Sequence, residues 1–67
     1  IDLPVPTGWV GKNLRDLNVR AKLGVNILAV KKEQKIRLSP AADYAFEQGD
    51  VVVILGDTAA LKAVQKL

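Results

Sequence analysis

The chain has no cysteine and no histidine among its 67 residues. Disulfide staples are therefore excluded, and so is a structural zinc site built on thiolate or imidazole. The same absences remove the commonest general base and the thiol nucleophile. Aromatic residues are confined to Trp9, Tyr44 and Phe46, too few and too scattered for the stacking platforms of single-stranded nucleic-acid readers. No apolar run approaches the ~20 residues of a membrane-spanning helix, and no secretory hydrophobic segment is present, so a soluble domain is expected. The acids are Asp2, Asp16, Glu33, Asp43, Glu47, Asp50 and Asp57. No two of them stand at a spacing that suggests an acid–base pair or a metal cage. Gly8 and Gly11 form only G-x-x-G, too short for a phosphate loop. The chain is expected to be no enzyme and to hold no metal or cofactor.

What the chain does have is aliphatic. Hydrophobic residues make up 49% of it, almost none of them aromatic. A chain of this length forms one domain, residues 1–67, and buries only about 60% of its unfolded surface. Its apolar content exceeds what one small core hides, and a homodimer interface would use the excess. The net charge is +3. Lys12, Arg15, Arg20, Lys22, Lys31, Lys32, Lys35, Arg37, Lys62 and Lys66 are dispersed, not gathered in one run, and no nucleic-acid partner is expected.

Patterning divides the chain as follows. Ile1, Leu3 and Val5 alternate with Asp2 and two prolines, which predicts a short edge strand. Leu14, Leu17 and Ala21 recur at helical spacing, with Asn13 as N-cap and Gly24 as the stop, which predicts one helix across "NLRDLNVRAKL". "VNILAV" reads as a strand covered on both faces. "KKEQK" is a polar turn, and "IRL" a second short strand with Ile36 and Leu38 facing together. Ser39-Pro40 has the form of a helix N-cap followed by proline. Gly49-Asp50 makes a tight turn into "VVVIL", the clearest strand. Gly56 makes the next turn, Asp57 or Thr58 caps a last helix, and Leu61, Val64 and Leu67 line its face. The fold class is α+β: a small, mostly antiparallel sheet with helices packed on it, in β-α-β-β-turn-β-α order.

Two polar residues interrupt the aliphatic stretch "VRAKLGVNILAV". Arg20 lies near a helix end, where it would favour the negative pole of the helix. Asn26 follows Gly24, where it would satisfy a turn. Both have a local explanation.

The ordered set Gly11-Lys12-Asn13-Leu14, Arg20, Gly24, Ile27 to Val30, Pro40, Gly49-Asp50 and Gly56 resembles the C-terminal subdomain of the RCK family, the TrkA-C domain. The match runs over essentially the whole chain. "NVRAKLGVNI" is most similar to one branch, the cytosolic gating subunits of bacterial Ktr potassium uptake systems (the KtrA/KtrC type). The resemblance implies a homodimer sitting behind a nucleotide-binding RCK domain in the same parent chain, on the cytoplasmic side of a membrane potassium transporter subunit. The Gly-rich loop of that larger domain is absent, so no NAD or ATP site is expected here.

The branch implies cyclic di-AMP as a regulatory ligand at the dimer interface, down-regulating potassium uptake. By that resemblance Arg20 and Asn26 meet the phosphates, and Leu14, Val19, Ala21, Ile27 and Pro40 surround the adenines. Val25, beside Asn26, is aliphatic where some relatives carry a polar residue. A two-fold axis would present each of these residues twice, matched to a ligand with two phosphates and two bases. Two other readings stay open: an assembly module with no nucleotide ligand, and a different ligand at the same cleft.

Overall fold

A four-stranded antiparallel sheet carries the most aliphatic segments, in the order β1-β4-β2-β3. The computed structural model describes all of Ile1–Leu67. The strands are β1 (Asp2–Pro4), β2 (Asn26–Lys32), β3 (Lys35–Leu38) and β4 (Val51–Leu55), and the helices are α1 (Leu14–Leu17), α2 (Val19–Leu23) and α3 (Thr58–Gln65). The α+β class and the order of elements are as expected. β4, the β-branched run, sits between β1 and β2, and proline-bearing β1 lies at an edge.

One face of the sheet builds the core. Val30, Val52 and Ile54 meet Val5, Trp9, Val19, Val25, Phe46 and Val64 in a single buried cluster. Each such side chain contributes about 1.5–3 kcal/mol relative to leaving it exposed. Trp9 and Phe46 pack with ring centroids 5.7 Å apart, and Tyr44 meets Phe46 edge-on, also at 5.7 Å. Asn13 caps α1 by accepting from the Asp16 N–H at 2.8 Å, and Asp57 caps α3 by accepting from the Ala60 N–H at 2.7 Å.

Four expectations are corrected. The single helix is two, because Asn18 takes a left-handed conformation, φ 48° and ψ 47°. Asparagine tolerates that region better than most residues. The break resets the helical phase, so Val19 is buried while Ala21 is exposed. No helix begins at Ser39-Pro40, since Ser39 itself has φ 46°, whereas an N-cap is extended. Residues 39–50 instead cross toward the core. The Arg15 N–H donates to the Ala42 carbonyl at 3.0 Å and the Gly11 N–H to the Phe46 carbonyl at 2.8 Å, while Phe46 is buried.

β2 is covered on one face only, because the core cluster that takes in α2 and α3 lies on the Val30 side. Ile36, Leu38 and Leu55 on the other side are 62%, 75% and 57% exposed. Leu67 is likewise exposed and lines no face of α3.

Asp50 is more than a turn residue. It is fully buried, accepts from the Tyr44 hydroxyl at 2.7 Å, and accepts from the Glu47 N–H at 2.9 Å. Burial first, and this bond second, push the Tyr44 hydroxyl up to about 12.

Candidate functional site

The junction of α1 and α2, the start of β2 and the segment after β3 enclose an open groove of about 720 Å³. That is within the usual ~300–1,000 Å³ of small-molecule sites. Leu14, Val19, Arg20, Val25, Asn26, Ile27 and Pro40 all line it. Ala21 does not; the break at Asn18 turns it to solvent. Arg15, Asn18, Leu28, Ser39 and Ala42 complete the lining, and sequence reasoning did not single them out for this site. A continuous helix would set Arg15 and Arg20 on different faces, and only the left-handed Asn18 brings both to one groove.

Gly24 makes the turn that joins the two polar residues. At φ 74° it ends α2, its N–H donating to the Val19 and Arg20 carbonyls at 3.0 and 3.1 Å. The chain then reverses into β2, and Arg20 Nε donates to Asn26 Oδ1 at 2.9 Å. Arginine only donates, so the Asn26 atom facing it is the carbonyl oxygen. One lone pair of that oxygen is thereby engaged, and most of what the pair still offers is donors: the terminal nitrogens of the guanidinium and the amide NH2. No aspartate or glutamate lines the groove. The ion pairs of the chain, Lys31 with Asp2 and Lys32 with Glu47, lie elsewhere. A donor-rich pair beside a second arginine, in an acid-free groove with an aliphatic lining, suits an anion that carries a flat apolar part.

A second hollow of about 470 Å³ lies by the β2–β3 hairpin and is lined by Lys32, Lys35, Arg37 and Tyr44 with Glu33 and Glu47. Its charges are largely answered internally. Lys32 pairs with Glu47, and the Arg37 guanidinium sits 5.1 Å from the centre of the Tyr44 ring. No cluster of His, Cys, Asp or Glu suited to a metal ion occurs, and no helix is long and apolar enough to cross a membrane.

The model of the TrkA-C domain matches residues 1–67. The chain belongs to the TrkA-C family. A curated relative is the Ktr system potassium uptake protein C of Bacillus subtilis, 34% identical over 66 residues. That alignment spans 98% of this TrkA-C domain and 30% of the relative. Among solved structures, the RCK C-terminal domain of KtrA in complex with cyclic di-AMP superposes with a TM-score of 0.93 at 29% identity. It covers 98% of this chain and 78% of that one. The RCK_C dimer of BusR from S. agalactiae, also with cyclic di-AMP, gives 0.83 at 31% identity, covering 98% and 83%.

BusR is also known bound to promoter DNA, in a chain of which this domain matches 33%. The expectation of no nucleic-acid partner is narrowed accordingly. It rests on the composition of these 67 residues and does not extend to larger proteins with such a domain.

Proposed function

We propose that this TrkA-C domain is the regulatory ligand-binding module of a potassium-transport gating subunit. It binds cyclic di-AMP in the Arg20–Asn26 groove, at a two-fold homodimer interface, and the ligand lowers potassium uptake. The observation that carries the reading is the donor-rich Arg20–Asn26 pair at 2.9 Å in an acid-free, aliphatic groove. The likeness to two cyclic di-AMP complexes supports it.

Arg20 and Asn26 hold the phosphates, and Leu14, Val19, Ile27 and Pro40 form the bed for adenine, with Ala21 left out of it and Val25 buried behind it. Each hydrogen bond to a charged phosphate contributes about 1.5–3 kcal/mol, and the two-fold axis doubles the set. Ligand on the axis favours one arrangement of the two subunits over another. The domain acts as a regulator and not as an enzyme. It works in the cytoplasm, behind a nucleotide-binding RCK domain of the same parent chain and against a membrane transporter subunit.

Calorimetry with cyclic di-AMP on the folded chain tests this. Saturable binding at micromolar ligand is expected, and no heat at tens of micromolar would end the proposal. A second reading, an assembly module without nucleotide, is favoured by the exposed aliphatics Ile36, Leu38 and Leu55. On that reading Arg20→Ala alters self-association and leaves the chain as indifferent to nucleotide as before.

A further inference from the structure

Arg15 and Arg20 both line the groove, and only one of them is tied down. Arg20 donates from Nε to Asn26 Oδ1 at 2.9 Å. Arg15 is fixed through its backbone alone, where its N–H donates to the Ala42 carbonyl at 3.0 Å. Its guanidinium enters no hydrogen bond and no ion pair. The residue is exposed. Asp16, next in the chain, does not line the groove, and no other acid does.

A braced arginine and a free one do different work. A guanidinium already set by a neighbour loses little freedom when a phosphate docks on it. A free one must give up the rotamer freedom of a long side chain to hold a phosphate in one geometry. In exposed surroundings that loss offsets most of the gain. The charge of the free arginine, however, acts without any fixed geometry. A cleft lined by charge of one sign concentrates ligands of the opposite sign and raises association rates by about 10–10³. On a two-fold axis each arginine appears twice. The braced Arg20 pair already matches a ligand with two phosphates, and the Arg15 pair is left over as unopposed positive field.

We infer that Arg15 steers the nucleotide into the groove and leaves the holding to Arg20, so that it sets the rate of arrival and not the rate of escape. The inference rests on the cyclic di-AMP reading above and assigns a kinetic role within that site to a residue outside the phosphate clamp. The field draws in any small dianion, so Arg15 adds speed and no base preference.

The test is stopped-flow association and dissociation of a fluorescently labelled cyclic di-AMP. It is run on the parent chain, on Arg15→Gln and on Arg15→Lys, with a thermal melt to establish that each is folded. Glutamine is close to arginine in helix propensity, so the exposed exchange leaves α1 intact. At about 0.01 M salt, where charges act over about 30 Å, Arg15→Gln is expected to associate at least about threefold more slowly than the parent and to dissociate within about twofold of it. Arg15→Lys keeps the charge and the parent's association rate. At about 1 M salt, where charges act over only about 3 Å, the parent and Arg15→Gln converge. An Arg15→Gln chain that associates at the parent's rate overturns the inference, whether or not it dissociates faster, and leaves the groove as the nucleotide site. A parent chain whose association rate is the same at both salt concentrations overturns it without any substitution. Absence of binding by the parent chain overturns the nucleotide reading and the inference together.

Discussion

Asn26→Asp separates a brace from a binding site. The substitution keeps an oxygen where Asn26 Oδ1 now accepts from Arg20 Nε at 2.9 Å, so the local fold keeps its bond. It also turns that bond into an exposed ion pair, worth about 0–1 kcal/mol. Thermal stability is therefore expected to hold or rise slightly. Binding responds in the opposite sense. The amide NH2 that would donate to a phosphate becomes a second carboxylate oxygen, which removes about 1.5–3 kcal/mol. A carboxylate about 5 Å from a phosphate also repels it by about 3 kcal/mol at an effective dielectric of about 20, before neighbouring Arg20 screens it.

Taking the lower end of the lost bond and half of the repulsion leaves about 3 kcal/mol per protomer, more than a hundredfold in Kd. The assay pairs a thermal melt with calorimetry against cyclic di-AMP. An Asn26→Asp chain that melts normally and binds within about threefold of the parent would refute donation by the Asn26 amide to a phosphate. The Arg20–Asn26 bond would then be a brace between helix and strand.

Three further outcomes are expected. Gly56→Ala places a Cβ 2.9 Å from Val25 Cγ1, and this overpacking beside the groove wall is expected to cost about 1–3 kcal/mol in a denaturant titration; a change below about 0.5 kcal/mol would show that Val25 yields freely. Tyr44 titrates near 10.0 when unfolded and is pushed up to about 12 in the fold by burial and its bond to Asp50. The neutral hydroxyl is the form the fold holds, so its stabilisation is complete below pH 10 and is lost as pH rises toward 12. Tyrosinate absorbance that appears at pH 10 in the folded chain would contradict the part-buried Tyr44–Asp50 pair. Asn18→Gly keeps the left-handed φ of 48° and should melt close to the parent, whereas Asn18→Val should lose about 1–2 kcal/mol; equal melting of the two would mean the break between α1 and α2 is not imposed by this residue.

Much of the scaffold was legible because its signals are local. Asn13, Gly24 and Asp57 act where their side chains or backbone freedom placed them, and the aliphatic runs of β2 and β4 are strands. Two features that shape the groove were not. The spacing of Leu14, Leu17 and Ala21 is helical across Asn18, and nothing in that period announces a left-handed residue. Ser39-Pro40 carries a helix-start pattern. It is overridden by Phe46, whose burial beside Trp9 draws the segment across the core. Arg20 and Asn26 stood out as polar residues among aliphatics. Arg15, Ser39 and Ala42 did not, since they reach the groove only through those two overridden elements.

The groove exists because regular structure stops around it. Asn18 at φ 48°, Gly24 at φ 74° and Ser39 at φ 46° lie in left-handed conformations on or beside its rim, and the β2–β4 register shifts between Ile27 and Ala29. A left-handed residue without the freedom of glycine costs about 1–2 kcal/mol, so two of these positions work against the fold. Removing the irregularities would fill the site. A helix continuous through Asn18 would carry Arg15 away from Arg20. A β3 two residues longer would pair with the start of β2 and replace the opening with ladder hydrogen bonds. Stability and an open nucleotide-sized groove thus draw on the same backbone groups. Residues that shorten β3 and break the helix are therefore as much part of the candidate site as Arg20 and Asn26.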